Sequence, residues 1–203
     1  MVVVSKTYNP TVYDSLVDVH VVNNSVTKED RRGLGIIIRK YGYEDQIGVQ
    51  FAHKHHNIQM NEAMLEKAEN NRLIQTPISI AELIAMEAQP IALKYHNDMW
   101  YPVTFSCEKF TTCDPWLDEA FLKEIGGYLA ANNLSDYLML YKRMDVKGLK
   151  DGKVYMEQNC KDTCASIWVL QDGFDSHAIP ANFFFNTETD DEHAFVGCSS
   201  RWE

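Results

Sequence analysis

Three of the seven histidines lie within four consecutive residues, at the end of an apolar run. His53, His55 and His56 follow residues 46–51, with Lys54 between the first two. If this stretch is an extended strand, successive side chains point to opposite faces. His53 and His55 then share one face, while Lys54 and His56 share the other. Two imidazoles on one face are typical of half a metal site, or of an acid–base pair.

A metal site built on this pair needs further ligands from elsewhere in the chain. Neutral imidazole nitrogens suit a divalent transition metal such as Zn, Fe or Cu. The nearest downstream carboxylate is Glu62, and His96 stands at the end of a predicted hairpin arm. We therefore predict His53, His55 and His96 as metal ligands, with Glu62 as a catalytic group beside the two paired histidines.

Two other interpretations of the pair remain open from the sequence. Without a metal, one histidine acts as a general base while another histidine orients a substrate oxygen. In a purely structural role, the ring nitrogens bond to backbone groups at the end of a strand. For either chemical role we predict that Trp100 and Tyr101, close to His96, form the wall of an apolar substrate pocket.

The other reactive residue types have weaker patterns. Cys160 and Cys164 are spaced C-x3-C, whereas zinc sites usually have C-x2-C and a second pair, so incidental thiols are favoured. Residues 175–177 read Asp-Ser-His, but adjacent residues rarely form a triad, so a loop is predicted. The sequence contains no P-loop and no G-x-G-x-x-G, so it predicts neither ATP nor a dinucleotide.

The bulk composition excludes some classes of partner. The chain has 203 residues, 45% of them hydrophobic, and a net charge of −10. Nucleic acids and anionic membranes favour clustered Lys and Arg, so neither partner is expected. No apolar run approaches the roughly 20 residues of a transmembrane helix. Five cysteines, an odd number, fit reduced thiols. We expect one globular domain over residues 1–203, located in the cytoplasm; no pattern indicates an oligomeric state.

Helix signals occur at three places. Thr27 with Asp30 is an N-terminal cap, and the helix is predicted from Lys28 through Arg39. A capping box, Ser79 with Glu82, opens the second helix. The third follows Asp114-Pro115, and its apolar residues lie at 3.6-residue spacing.

Strand signals fill most of the remainder. An alternating strand is predicted over residues 16–22, the histidine strand over 46–56, and a hairpin over 91–106 with the turn Asn97-Asp98. Further strands are predicted over 134–141, 154–158 and 165–170, with a turn at 150–152. Residues 58–69 have a helical composition, although their position also suits the return arm of a hairpin. This order predicts an α+β fold, a mainly antiparallel sheet with about three helices.

The residues around the histidine cluster resemble a known group of sequences. Residues 47–58, followed by a segment containing Glu62, are similar to small hypothetical proteins of filamentous fungi that carry a strand ending in His-x-His-Phe. The motifs at 100–105 and 137–141, with Glu157 before a strand, stand in a similar order. The resemblance spans residues 40 to 170, with His56 where an aromatic residue is usual. It implies that His53 and His55 are a paired feature, and it implies no activity.

Together these patterns lead to a hypothesis about function. We expect a small-molecule enzyme whose site is built around His53 and His55, using metal-assisted or acid–base chemistry on a metabolite. The alternative is a non-catalytic domain that binds a ligand or another protein, because the sequence contains no complete catalytic motif.

Overall fold

The computed structural model describes residues 4–5, 8–70, 72–108, 114–142, 153–160, 164–185 and 192–199. Ten strands form a closed barrel in the order β1-β6-β4-β5-β2-β3-β8-β7-β10-β9. The strands are Ile47–Phe51 (β1), Glu62–Glu69 (β2), Arg72–Ser79 (β3), Gln89–His96 (β4), Met99–Ser106 (β5), Leu138–Lys142 (β6), Val154–Cys160 (β7), Ala165–Gln171 (β8), Ala178–Phe185 (β9) and Glu192–Ser199 (β10).

Within the described residues there are five α-helices and one 3-10 turn, Pro115–Leu117. The helices are Pro10–Asp14 (α1), Val19–Ser25 (α2), Lys28–Lys40 (α3), Ile80–Ala85 (α4) and Glu119–Ala131 (α5). None of these helices is long and apolar enough to cross a membrane. The predicted turn at 150–152 lies outside the described residues.

The prediction of an α+β fold with a mainly antiparallel sheet and about three helices is wrong, because the sheet closes on itself. Closure depends on pairs far apart in sequence: β1 pairs with β9, and β7 pairs in parallel with β10. A second parallel pair joins β2 to β5, so the barrel is mixed. Pairing between distant segments leaves no local sequence signal, whereas hairpins do.

Two of the predicted elements are of the wrong type. Residues 62–69 form β2, which pairs with β3 along its whole length, so tertiary pairing overrides their helical composition. They are not the return arm of β1 either, since β1 pairs with β6 and β9. The predicted strand at 16–22 is largely helix α2, which Asp18 caps by accepting a hydrogen bond from the His20 amide.

The predicted caps and the hairpin are confirmed. Both capping boxes, Thr27 with Asp30 and Ser79 with Glu82, form in full. The turn between β4 and β5 has Asn97 and Asp98 at φ values of 47° and 61°, as a tight hairpin with the correct twist requires. After the predicted cap Asp114 comes only the 3-10 turn, and α5 begins at Glu119 with Asp118 as its cap.

The core has an interior part and an outer part, which the strands separate. On β6, Met139 and Tyr141 pack with Tyr155 and Trp168 from the opposite wall, a contact possible only inside the barrel. Leu138 and its outward neighbours pack instead under helices α2, α3 and α5. All five residues of β1 and of β6 are therefore buried, which accounts for the apolar run before the histidines.

Two contacts fix the parts of the barrel that carry the histidines and β10. The segment containing α1 contributes Tyr13 and Leu16 to the interior core, so it covers one end of the barrel. Helix α3 is tied to β10 by a bidentate pair between Arg31 and Glu192, at 2.7 and 2.9 Å. A planar guanidinium that binds both carboxylate oxygens holds its partner in a defined orientation.

Candidate metal centre

His53 is held in a fixed orientation just beyond the end of β1. Its backbone bridges in parallel to Val17, and the next amide, that of Lys54, donates to the Val17 carbonyl at 3.1 Å. The His53 ring places Nδ1 2.9 Å from the Phe51 carbonyl oxygen. Because a carbonyl only accepts, Nδ1 carries the proton and Nε2 presents a lone pair. Metal-binding histidines are commonly fixed in this way.

Two further atoms that could ligate a metal lie close to this lone pair. His53 Nε2 lies 2.9 Å from His55 Nε2 and 3.1 Å from Cys198 Sγ. Ligand atoms of His53, His55 and Cys198 all lie within 4.8 Å of one another. The two imidazole planes are perpendicular, at 90°. Two nitrogens and one sulfur from separate parts of the barrel therefore form a compact group that can hold a metal ion.

Cys198 reaches the group because β10 is irregular. The register between β10 and β9 shifts between Ala194 and Val196 and again between Val196 and Gly197. Such bulges redirect the side chains that follow them. At Gly197 an added Cβ would lie 2.7 Å from Met156 Sδ and 2.7 Å from a Phe174 ring carbon. The missing side chain thus allows β10 to approach its neighbours closely, directly before Cys198.

A carboxylate lies beside the three donor atoms. Glu157, on β7, has a side chain with 0% exposure, and its Oε1 is 2.8 Å from His55 Nε2. Neither Glu157 oxygen receives a hydrogen bond of normal geometry from the described residues. The contact of His55 Nε2 that has hydrogen-bond geometry is the one to His53, whereas its contact with Glu157 is one of ion-pair distance. The polar groups next to this carboxylate are the His55 ring and the Cys198 thiol. A buried carboxylate with such weak donors is costly, and a cation is the usual remedy.

The protonation tendencies of the group follow from burial. Burial, and then the neighbouring His55, lower the pKa of His53 to about 4, so its imidazole is neutral at pH 7. Burial, then the charge of Glu157, and then the hydrogen bond between the thiol and that carboxylate raise the pKa of the Cys198 thiol well above its usual range. A bound cation acts in the opposite direction on a thiol and deprotonates it. The group thus has one neutral nitrogen ready to ligate and one thiol that needs a metal to ionise.

His56 lies beside His53 and His55 rather than on the opposite face of the chain. The strand ends at Phe51, and the chain bends at residues 55–56, so strand alternation does not apply to the cluster. His53, His55 and His56 all line one cavity of about 20 Å³, which has room for about one water molecule. The prediction that His56 points away from His53 and His55 is therefore wrong.

His55 and His56 also face outward. Both line an open depression of about 220 Å³, together with Leu16, Val17 and Asp18. A further cavity of about 10 Å³, inside the barrel, is lined by His53 and Cys198. The candidate metal centre therefore lies between the barrel interior and a surface depression. His53 lines the interior cavity, and His55 and His56 line the depression.

The other predicted site residues do not join this group. Glu62 accepts a hydrogen bond from the Gln59 amide at 2.8 Å, within a local turn. His96 lies at the β4–β5 turn, with Nε2 3.0 Å from the Asn97 side-chain nitrogen. Trp100 is fully buried in the outer core and donates from Nε1 to the Leu122 carbonyl at 3.1 Å. Tyr101 lies near His96, with ring centroids 6.3 Å apart. The sequence-based assignment of these four residues to the site has no support in their contacts.

The sequence patterns missed Cys198 and Glu157. Each is separated from the histidines by more than one hundred residues, and neither stands in a recognisable metal motif. Cys164 lies in the turn before β8 at a φ of 49°, while the side chain of Cys160 lies outside the described residues. The loop predicted at residues 175–177 is confirmed as the connection between β8 and β9.

Comparison with known proteins gives no family to which the chain can be assigned. No protein-family model matches it, and no curated protein or solved structure is similar to it. The candidate site therefore has to be interpreted from its own geometry.

Proposed function

We propose that this protein binds one transition-metal ion, Zn²⁺ by its ligand chemistry, through His53, His55 and Cys198. The observation that carries the proposal is the convergence of two imidazole nitrogens and one thiol sulfur within 4.8 Å. Zn²⁺ takes nitrogen, sulfur and carboxylate ligands in tetrahedral sites. At normal bond lengths, two such nitrogens are separated by ~3.3 Å, so His53 and His55 need to part by only a few tenths of an ångström.

We further propose that the ion serves chemistry on a small molecule. Catalytic zinc sites have three protein ligands and keep a fourth position for water or substrate. The cavity of about 20 Å³ beside the two histidines supplies room for such a group. A bound metal lowers the pKa of a coordinated water or polarises a substrate carbonyl. Glu157, at 2.8 Å from His55 Nε2, would be the carboxylate closest to the ion and the candidate proton acceptor for such a group.

The rival function is a metal-stabilised, non-catalytic domain, and the position of Glu157 favours it. If the carboxylate ligates the ion, the site has four protein ligands and is closed, as structural zinc sites are. The two buried cavities at the site, about 20 and 10 Å³, are also too small for a whole metabolite. The two functions differ in whether a small external ligand can reach the ion.

The test is the metal content of protein purified without a histidine tag, for wild type and for His53→Ala with His55→Ala. We expect one equivalent of metal in the wild type and almost none in the double variant. His96→Ala, outside the group, is the matched control and keeps the metal. A wild type that binds no metal after incubation with Zn²⁺ contradicts the proposal, as does a double variant that still binds one equivalent.

A second measurement separates the open site from the closed one. In protein loaded with Co²⁺ instead of Zn²⁺, the visible spectrum reports the ligands of the ion. An open site changes its spectrum when azide is added, and the change saturates. A spectrum that responds neither to azide nor to a neutral ligand such as hydroxylamine, but becomes responsive in Glu157→Gln, favours Glu157 as the fourth ligand and the structural role.

A further inference from the structure

The wall of the cavity between the three histidines contains buried hydrogen-bond acceptors that have no donor partner among the described residues. His56 is about nine-tenths buried, and its Nε2 has no hydrogen-bond partner in the described part of the chain. The ring also has a hydrogen bond to the backbone of Ala165, which raises its pKa as a carbonyl acceptor does. Because Nε2 has no partner, the nitrogen in that bond is Nδ1. Nδ1 donates to the carbonyl, so Nε2 presents a lone pair with a fixed direction.

Gln50 contributes a second acceptor to the same cavity. It is also more than nine-tenths buried, and its Oε1 lacks a partner among the described residues. Three donor groups on the wall already have an acceptor within the protein. Gln75 Nε2 donates to Glu66 at 2.7 Å, Tyr13 Oη to the His56 carbonyl at 3.3 Å, and Lys54 Nζ to the Asp14 carbonyl at 2.9 Å.

Unpaired buried acceptors define the chemistry of what fills the cavity. Each one costs free energy until a donor reaches it. An occupant that satisfies both His56 Nε2 and Gln50 Oε1 needs two N–H or O–H bonds, and needs a lone pair as well if it is to bind the ion. Water has this pattern, and so has a terminal amino group. Anions that only accept hydrogen bonds do not.

We propose that the ligand of this site is a small neutral molecule with a terminal amino or hydroxyl group, and that His56 and Gln50 select this group. This inference rests on the proposed metal site. The donor group enters the cavity of about 20 Å³, while the rest of the molecule occupies the depression of about 220 Å³ outside. Leu16 and Val17 form an apolar side of that depression, which suits a short aliphatic remainder, while its other lining residues are polar.

The test uses Co²⁺-loaded protein and two probes, hydroxylamine and azide. Hydroxylamine is a neutral donor with an N–H₂ group near neutral pH, whereas azide only accepts hydrogen bonds. Their dissociation constants are read from the visible spectrum. Because the two probes also differ in charge, the inference is tested by the ratio of their dissociation constants, azide over hydroxylamine, in the wild type and in variants. We expect this ratio to be about tenfold higher in the wild type than in a variant that lacks one acceptor, the size of effect that a hydrogen bond contributes.

His56 variants then locate the selectivity. His56→Leu should lose the preference for hydroxylamine, whereas His56→Gln, whose side-chain oxygen can accept, should retain part of it. Both variants should still bind one equivalent of Co²⁺. If circular dichroism shows that His56→Leu does not fold, Gln50→Leu makes the same test.

The outcomes separate this inference from the metal site itself. A ratio of the two dissociation constants that is the same in the wild type, His56→Leu and Gln50→Leu overturns the inference. In that case the metal site stands. A wild type that binds no Co²⁺ overturns both the inference and the metal site.

Discussion

The barrel contains two buried carboxylates, and their surroundings differ in one respect. Glu66 receives hydrogen bonds from Tyr141 Oη at 2.5 Å and from Gln75 Nε2 at 2.7 Å. Glu157 receives none of normal geometry from the described residues, and it lies beside two imidazoles and a thiol. Both side chains are almost completely buried. A satisfied carboxylate is a structural feature, whereas an unsatisfied one beside nitrogen and sulfur ligands indicates a cation site.

Both carboxylates are buried in the barrel, and Glu66 shares a cavity with two of the proposed metal ligands. The cavity of about 10 Å³ is lined by Glu66 and Tyr141 as well as by His53 and Cys198. Glu66 and Glu157 are buried to a similar extent, so the difference between the two carboxylates lies in their hydrogen-bond partners. Substituting one carboxylate while the other stays intact therefore gives a pair of matched variants of the same protein.

The largest expected effect is that of the metal on stability. A metal that binds only the folded state at a free concentration of about 1,000 times its dissociation constant adds about 4 kcal/mol to the free energy of unfolding. For a chain of this size that raises Tm by ~8–16 °C. Differential scanning calorimetry with Zn²⁺ and with a chelator measures the difference. Equal Tm values in the two conditions would show that Glu157 needs no cation.

The second prediction exchanges the carboxylates for amides. Glu157→Gln should weaken metal binding about 10- to 100-fold, because residues next to the ligands contribute that much to affinity. Glu66→Gln should leave the affinity unchanged, because Glu66 contacts Tyr141 and Gln75 rather than the metal group. Competition with a chromogenic chelator gives both constants. An equal loss in the two variants would mean that the two carboxylates form one site.

The third prediction concerns the approach of β10. Gly197→Ala places a Cβ 2.7 Å from both Met156 and Phe174, so it should destabilise the fold by about 1–3 kcal/mol and displace Cys198. Gly127→Ala is the matched control, since Gly127 lies in α5 with open space around it. That change should stabilise the helix by about 0.5–1 kcal/mol. Urea unfolding and metal titration of both variants test this; wild-type affinity in Gly197→Ala would argue against it.

The smallest effect is the pH dependence caused by Glu66. Burial is the largest cause of its shift and raises the pKa of Glu66 above 4.5, although the hydrogen bonds from Tyr141 and Gln75 oppose this. A carboxyl group whose pKa is higher in the folded state than in the unfolded state contributes stability that is fully present below the unfolded value. That contribution is lost as pH rises through the folded value.

Glu66→Gln removes this dependence, since an amide does not titrate in the range. The stability of the wild type relative to Glu66→Gln should therefore fall as pH rises from below 4.5 to neutral. Urea unfolding at several pH values, with chelator present, measures the difference. A relative stability that rises with pH would show that the pKa of Glu66 is lowered, contrary to the effect of burial.

The local elements of the fold are predictable from the sequence, but the barrel is not. The capping pairs Thr27–Asp30 and Ser79–Glu82 and the Asn97-Asp98 turn each act within a few residues, so they are visible in the sequence. The strand identity of residues 62–69 depends on β3 and β5 on either side, against their own propensity. Closure through β1–β9 and β7–β10 depends on distant pairing in the same way.

The candidate site is predictable to the same extent. His53 and His55 stand out because they are close in sequence, and the structure places their Nε2 atoms 2.9 Å apart. Strand alternation does not account for this proximity, because β1 ends at Phe51 and the chain bends at residues 55–56. Cys198 and Glu157 are brought in by β10 and β7, whose positions follow from barrel closure. Without the topology, Glu62 and His96 are equally plausible partners.

The most direct test of the metal site is the charge-transfer spectrum of Co²⁺-loaded protein, since a thiolate bound to Co²⁺ gives an intense near-ultraviolet band. The wild type should show this band at one equivalent of Co²⁺. Cys198→Ser should abolish it, while Cys107→Ser, which replaces an exposed thiol, should leave it unchanged. A wild-type spectrum without the band, or a band that persists in Cys198→Ser, would contradict a site built from His53, His55 and Cys198.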